Sequence, residues 1–150
     1  QVVGRAGRGS KAGRAVIQTF SPEDSVLLCA SGQDYDSFYE GEIEFRKSFL
    51  YPPFCDILSM ELSGAENSRV YAAAAHIRNE LEAIRNETDT VFSPSPAPVF
   101  KVNNKVRYRV IMKTEDTKSL RNGVSMVIKR YMADKRFSGV SLFAVFNPFE

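Results

Sequence analysis

The stretch KVRYRVIMK, residues 105–113, constrains the chain more than any other. Val106, Tyr108, Val110 and Met112 alternate with Lys105, Arg107, Arg109 and Lys113, and Ile111 alone breaks the pattern. Successive side chains of a strand point to opposite faces, so this segment reads as a strand with one buried and one basic face. A second alternation lies at FCDILSMELSG, 54–64. Here Leu58, Met60 and Leu62 face one way, and Ser59, Glu61 and Ser63 the other.

The segments around these strands carry a different period. At 66–86, Val70, Ala73, Ala74, Ile77, Leu81 and Ile84 form one helical stripe; at 117–133, Leu120, Val124, Val127, Ile128 and Tyr131 form another. A strand is expected near 91–102, broken by PSPAP at 94–98, because proline donates nothing to a ladder and belongs at an edge or an irregularity. Asn103-Asn104 suits the left-handed geometry of a tight hairpin. GVSLFAVFNP, 139–148, reads as a last strand. The order from residue 54 onward is therefore βαββαβ. It folds most simply into a four-stranded antiparallel sheet with both helices on one face, the ferredoxin-like arrangement of the α+β class.

Upstream, GRAVIQTF at 13–20 is β-rich. SPED at 21–24 resembles a helix start, with Ser21 as N-cap and Pro22 in the first turn of a helix running to about Ala30, which Gly32 can end. DYDSFYEGEIEFRKSF, 34–49, reads as a helix. Its Tyr35, Phe38, Tyr39, Ile43, Phe45 and Phe49 form an apolar arc, interrupted by Glu42, that is expected to pack as core. YPPF at 51–54 stops this helix. Three segments follow: 1–20, 21–53 as a helical linker, and 54–150 as the main domain.

The net charge of +2 conceals segregation. Residues 99–136 carry eleven basic and three acidic groups, whereas 21–98 are acidic. Such a local field attracts polyanions or acidic peptides. Lys105, Arg107, Arg109 and Lys113 stand in one row, and Lys101 is expected to extend it across the hairpin. Cys29 and Cys55 have no metal-site spacing, and His76 has no evident catalytic partner, so no metal is expected. No apolar run is long enough to cross a membrane as a helix.

The chain opens QVVGRAGR. Arg5 and Arg8, each beside glycine, suit bidentate grip on phosphate oxygens. The complete order Gln1, Gly4, Arg5, Gly7, Arg8 resembles the sixth motif of superfamily 2 helicases. Asp34-Tyr35, Phe38-Tyr39, Glu42, Phe45-Arg46, Tyr51-Pro52-Pro53-Phe54, the SPSPAP hairpin, the basic–aromatic strand and the closing FNP resemble the primosomal protein N-prime family of bacterial replication-restart helicases.

That resemblance implies a carboxyl-terminal piece of an ATP-dependent 3′ to 5′ DNA helicase, with residues 1–20 as the end of the second helicase lobe. Arg5 and Arg8 would be arginine fingers, and Gln1, Gly4 and Gly7 would help couple ATP. With no GxxxxGK[ST] loop, the chain alone is expected to hydrolyse nothing. ATP and magnesium would belong to the parent protein, and zinc to cysteines upstream. Residues 1–20, without the rest of their sheet, are expected to be partly non-native.

The implied partners are forked or branched DNA, the acidic tail of single-stranded DNA-binding protein, other primosome proteins and the rest of the helicase core, in the bacterial cytoplasm at the nucleoid. The resemblance places a tail-binding arginine on the 105–113 strand. The family often has glycine where this chain has Asn103-Asn104, which leaves Arg107 and Arg109 both open for that role. Two other classes fit less well. An RNA-recognition module would need a K/R-G-F/Y-G/A-F-V-x-F/Y stretch, which is missing. A small regulatory domain would need a convergent polar cluster beyond the arginines.

Overall fold

The computed structural model describes residues 14–148, so Gln1, Gly4, Arg5, Gly7 and Arg8 lie outside the described residues. The chain divides into two compact units between Ile43 and Glu44.

In the first unit, residues 14–19 have no regular structure, where the β-rich composition predicts a strand. A strand needs a neighbour for its N–H and C=O groups, and no described segment pairs with this one. Helix α1 spans Ser25–Gly32 and starts later than expected. Asp24, not Ser21, is its N-cap: the carboxylate accepts from the amides of Val26 at 2.9 Å and Leu27 at 3.3 Å. A carboxylate at a helix start answers both the orphan amides and the dipole. Gln33, left-handed at φ 54°, ends the helix.

Helix α2 spans Tyr35–Ser48, and Asp34 caps it by accepting from the amide of Ser37 at 3.0 Å. None of its residues is buried. Of the aromatic arc expected to be core, Phe38 and Ile43 are half-buried, whereas Tyr35 and Phe45 are 68% and 52% exposed. The period places the rings on one side of the helix. They touch one another: Tyr35 lies 6.2 Å from Tyr39, and Phe45 4.7 Å from Phe49, between centroids.

The second unit holds β1 (Asp56–Gly64), α3 (Asn67–Ile84), β2 (Thr90–Val91), β3 (Ser95–Val102), β4 (Lys105–Thr114), α4 (Thr117–Ala133) and β5 (Ser141–Phe146). These elements form an α+β unit with a five-stranded antiparallel sheet. β4 and β1 are central; β5 flanks β1, while β2 and β3 both pair with β4. Five strands stand where four were expected, because the prolines split the outer one. The β3 register shifts between Pro96 and Lys101. Asn103 and Asn104, at φ 49° and 61°, make the hairpin turn.

Leu58, Met60 and Leu62 of β1 and Val110 and Met112 of β4 are fully buried beneath Val70, Ala73, Ala74, Ile77 and Leu81 of α3. Leu120, Val124, Val127 and Tyr131 of α4 join the same core, so both helices cover one face of the sheet. Gly64 permits close approach at the end of β1, since a Cβ there would sit 2.9 Å from Cγ2 of Val70. Tyr131 donates its hydroxyl to the carbonyl of Val140 at 3.0 Å. Burial, with the charge of Asp134 adding, pushes its phenol up to about 12.

The FNP segment closes the sheet. Asn147 donates its side-chain amide to Asp56 at 2.7 Å and accepts from the Ile57 amide at 2.8 Å, while its own backbone amide donates to the Ile57 carbonyl at 2.7 Å. Thr117, at the start of α4, also donates to the Asp56 carboxylate. The hydrogen bonds from Asn147 and Thr117 hold the Asp56 carboxyl below the usual carboxylate range.

Candidate functional site

The sheet face opposite the helices is built from the odd-numbered residues of β1, β4 and β5. Register aligns Ser141, Ser63 and Arg107 in one cross-strand row, Phe143, Glu61, Arg109 and Ser95 in the next, and Val145, Ser59 and Ile111 in a third. Lys105, Arg107, Arg109 and Lys113 therefore do share this face, spread over roughly 27 Å of strand. Lys101 does not join them. It pairs with Val106, whose side chain faces the helices, and directly paired residues project to the same side. The two-residue turn at Asn103-Asn104 sets this phase, pairing Val102 with Lys105 and Lys101 with Val106.

The four cations have different surroundings. Lys113 donates to the carbonyl of Phe49 at 2.7 Å, and its ammonium lies 3.8 Å from the ring centroid of Tyr51. It thereby fastens the segment after α2 over one end of the open face. A lysine held by a carbonyl and an aromatic face has little left for an outside ligand. Arg107 is paired with Glu61: Oε1 of Glu61 accepts from Nε at 2.8 Å and from Nη2 at 2.5 Å. Nη1 of Arg107 donates to the Val99 carbonyl at 3.4 Å.

At the hairpin end the face opens into a shallow pocket of about 260 Å³, lined by Ser63, Val102, Asn103, Lys105 and Arg107. Two cations, a hydroxyl, an amide and one apolar wall converge there. Between Arg107 and Arg109, it is Arg107 that lines this pocket. Phe143, 68% exposed, stands on the same face two strands away. In the first unit a cleft of about 350 Å³ between α1 and α2 is lined by Val26, Cys29, Ala30, Tyr35 and Phe38 among others, almost all apolar.

Glu61 and Phe143 carry no signal in the sequence that marks them as part of a site. Glu61 reads as one polar residue among the serines of β1; only the antiparallel register brings it beside Arg107. Among the described residues, no three His, Cys, Asp or Glu side chains gather where they could hold a metal ion. Cys55 is buried and donates its thiol to the Leu50 carbonyl at 2.8 Å.

Residues 47–142, which hold both helices and the sheet up to the first two residues of β5, match the family model described as the primosomal protein N C-terminal domain. The chain belongs to this family. It is similar to the replication restart protein PriA of Bacillus subtilis, at 26% identity over 99% of this chain and 18% of that protein. The PriA proteins of Thermotoga maritima and Chlamydia muridarum are 34% and 36% identical, each over 77% of this chain and 15% of theirs. The chain thus spans less than a fifth of the length of these relatives. The primosomal C-terminal domain match includes Arg107, Glu61 and Lys105, and of the open face it leaves out Phe143 and Val145 on β5.

Proposed function

We propose that this chain serves replication restart as the docking domain of a larger ATP-dependent 3′ to 5′ DNA helicase. The open sheet face would receive forked DNA and the acidic carboxyl-terminal tail of single-stranded DNA-binding protein. The observation that carries the reading is the pocket at the hairpin end, where Arg107 and Lys105 stand beside the apolar wall of Val102. A peptide tail that is acidic and ends in an apolar residue needs both features together: cations for its carboxylates and an apolar surface for its last side chain. The strand order, with an outer strand broken at prolines, supports a ferredoxin-like description of residues 54–148.

Arg5 and Arg8 would act as arginine fingers, with Gln1, Gly4 and Gly7 beside them, on ATP and magnesium held by the parent helicase. Zinc would belong to cysteines of the parent helicase upstream of this chain, since Cys29 and Cys55 lack metal-site spacing. DNA contact through Lys105, Arg109 and Arg107 would be sequence-independent and salt-sensitive.

Fluorescence anisotropy tests the reading. The chain is titrated into labelled fork DNA and, separately, into a labelled acidic peptide with a free apolar carboxyl terminus. Both should bind. Arg107→Glu should weaken peptide binding by at least tenfold, a loss in the range found when one member of a charge-assisted contact is reversed. Undiminished peptide binding by Arg107→Glu would remove the pocket from the mechanism.

A further inference from the structure

Glu61 already occupies the cation that an incoming carboxylate needs. It fills the side-on fork of the Arg107 guanidinium, Nε and Nη2, with a single oxygen. In register Glu61 lies opposite Arg109 on one side and Phe143 on the other, so it reaches diagonally to make this pair. The two side chains are 28% and 29% exposed, sheltered enough for their charges to act on a neighbour in the pocket.

A peptide carboxylate arriving at Arg107 must displace Glu61 or share the guanidinium with it. Either way the resident negative charge opposes the ligand. We infer that Glu61 is an internal competitor: a built-in carboxylate that lowers the affinity of the Arg107 pocket for acidic, carboxylate-ended peptides. This inference rests on the peptide-docking reading above. It gives the pocket a threshold. A single stray carboxylate gains nothing by replacing Glu61, whereas a tail with several acids and an apolar end adds contacts with Lys105 and Val102 that Glu61 does not make.

The test uses a labelled peptide of aspartates ending in Phe, as the free acid and as the carboxyl-terminal amide, with wild type, Glu61→Gln, Arg107→Gln and the double variant. Glu61→Gln keeps an oxygen for Arg107 and removes only the charge. Expected is free-acid binding about 3- to 5-fold tighter than wild type, the reciprocal of what such a pair is worth. The gain should shrink with the amidated peptide and vanish on the Arg107→Gln background. If wild type binds and Glu61→Gln binds equally or more weakly, Glu61 is not a competitor and the inference falls while peptide docking stands. If no form binds the free acid, the docking reading fails and the inference with it. Thermal unfolding checks the fold. Should Glu61→Gln be unstable, Glu61→Thr, a good strand former, repeats the comparison.

Discussion

Replacing Asn147 tests whether the FNP ending is a structural clasp. Asn147→Ala removes two side-chain hydrogen bonds, one to the Asp56 carboxylate at 2.7 Å and one from the Ile57 amide at 2.8 Å. Both lie where water can replace them, so the low ends of the usual ranges apply: about 1.5 kcal/mol for the charge-assisted bond and about 0.5 kcal/mol for the neutral one. Asn147 also sits at φ 49°, where alanine costs roughly 1 kcal/mol more than a residue at ease in the left-handed region. The sum is about 3 kcal/mol, which for a domain of this size lowers Tm by roughly 12–24 °C. Asn147→Gly loses the same bonds without the strain, so it should fall short of the alanine variant by roughly 1 kcal/mol. Circular dichroism melts of both variants measure this, alongside Asp56→Ala and the double variant. The partners share one network, so the double should be milder than the sum of the singles. Alanine and glycine variants both within about 3 °C of wild type would refute the clasp, because that is under 1 kcal/mol. The clasp should also respond to acid. Asp56 is held below the usual carboxylate range, so its contribution is complete above the unfolded carboxylate pKa of about 3.9 and is lost as pH falls through the depressed folded value.

Tyr131→Phe should cost about 1–1.5 kcal/mol by leaving the Val140 carbonyl without its donor, measured by urea unfolding. Its phenol, pushed up to about 12, stabilises the fold fully below pH about 10, and stability is lost as pH rises towards the folded value; in Tyr131→Phe that alkaline loss should shrink. Lys113→Met should leave the melt within about 1 kcal/mol of wild type, since the cation–π contact is partly exposed. It should nonetheless speed proteolytic cleavage around residues 49–54, where Lys113 tethers the Phe49 carbonyl and Tyr51.

Period alone located most of the second unit. The alternation at 54–64 and 105–113 and the stripes at 66–86 and 117–133 correspond to β1, β4, α3 and α4, because each buries one face against a core supplied by the others. The same logic fails where burial has no partner. The aromatic arc of α2 has the residue types of a packed helix, yet none of that helix's residues is fully buried, and the β-rich residues 14–19 form no strand. Ser21 and Asp24 are both good caps, and the choice between them turned on which carboxyl or hydroxyl met the first free amides.

The candidate site divides in the same way. That Lys105, Arg107, Arg109 and Lys113 share a face follows from the sequence, since two-residue periodicity is a property of the strand itself. What each cation does there belongs to the tertiary structure. Register turned Lys101 to the helix side, set Glu61 against Arg107, and brought Lys113 under the segment after α2. Cross-strand neighbours are set by turn geometry and bulges many residues away, and a charge's free energy depends on those neighbours more than on its own identity. The sequence by itself therefore determined which residues are basic and which way they point along β4; only folding decided which of them remain available to a ligand.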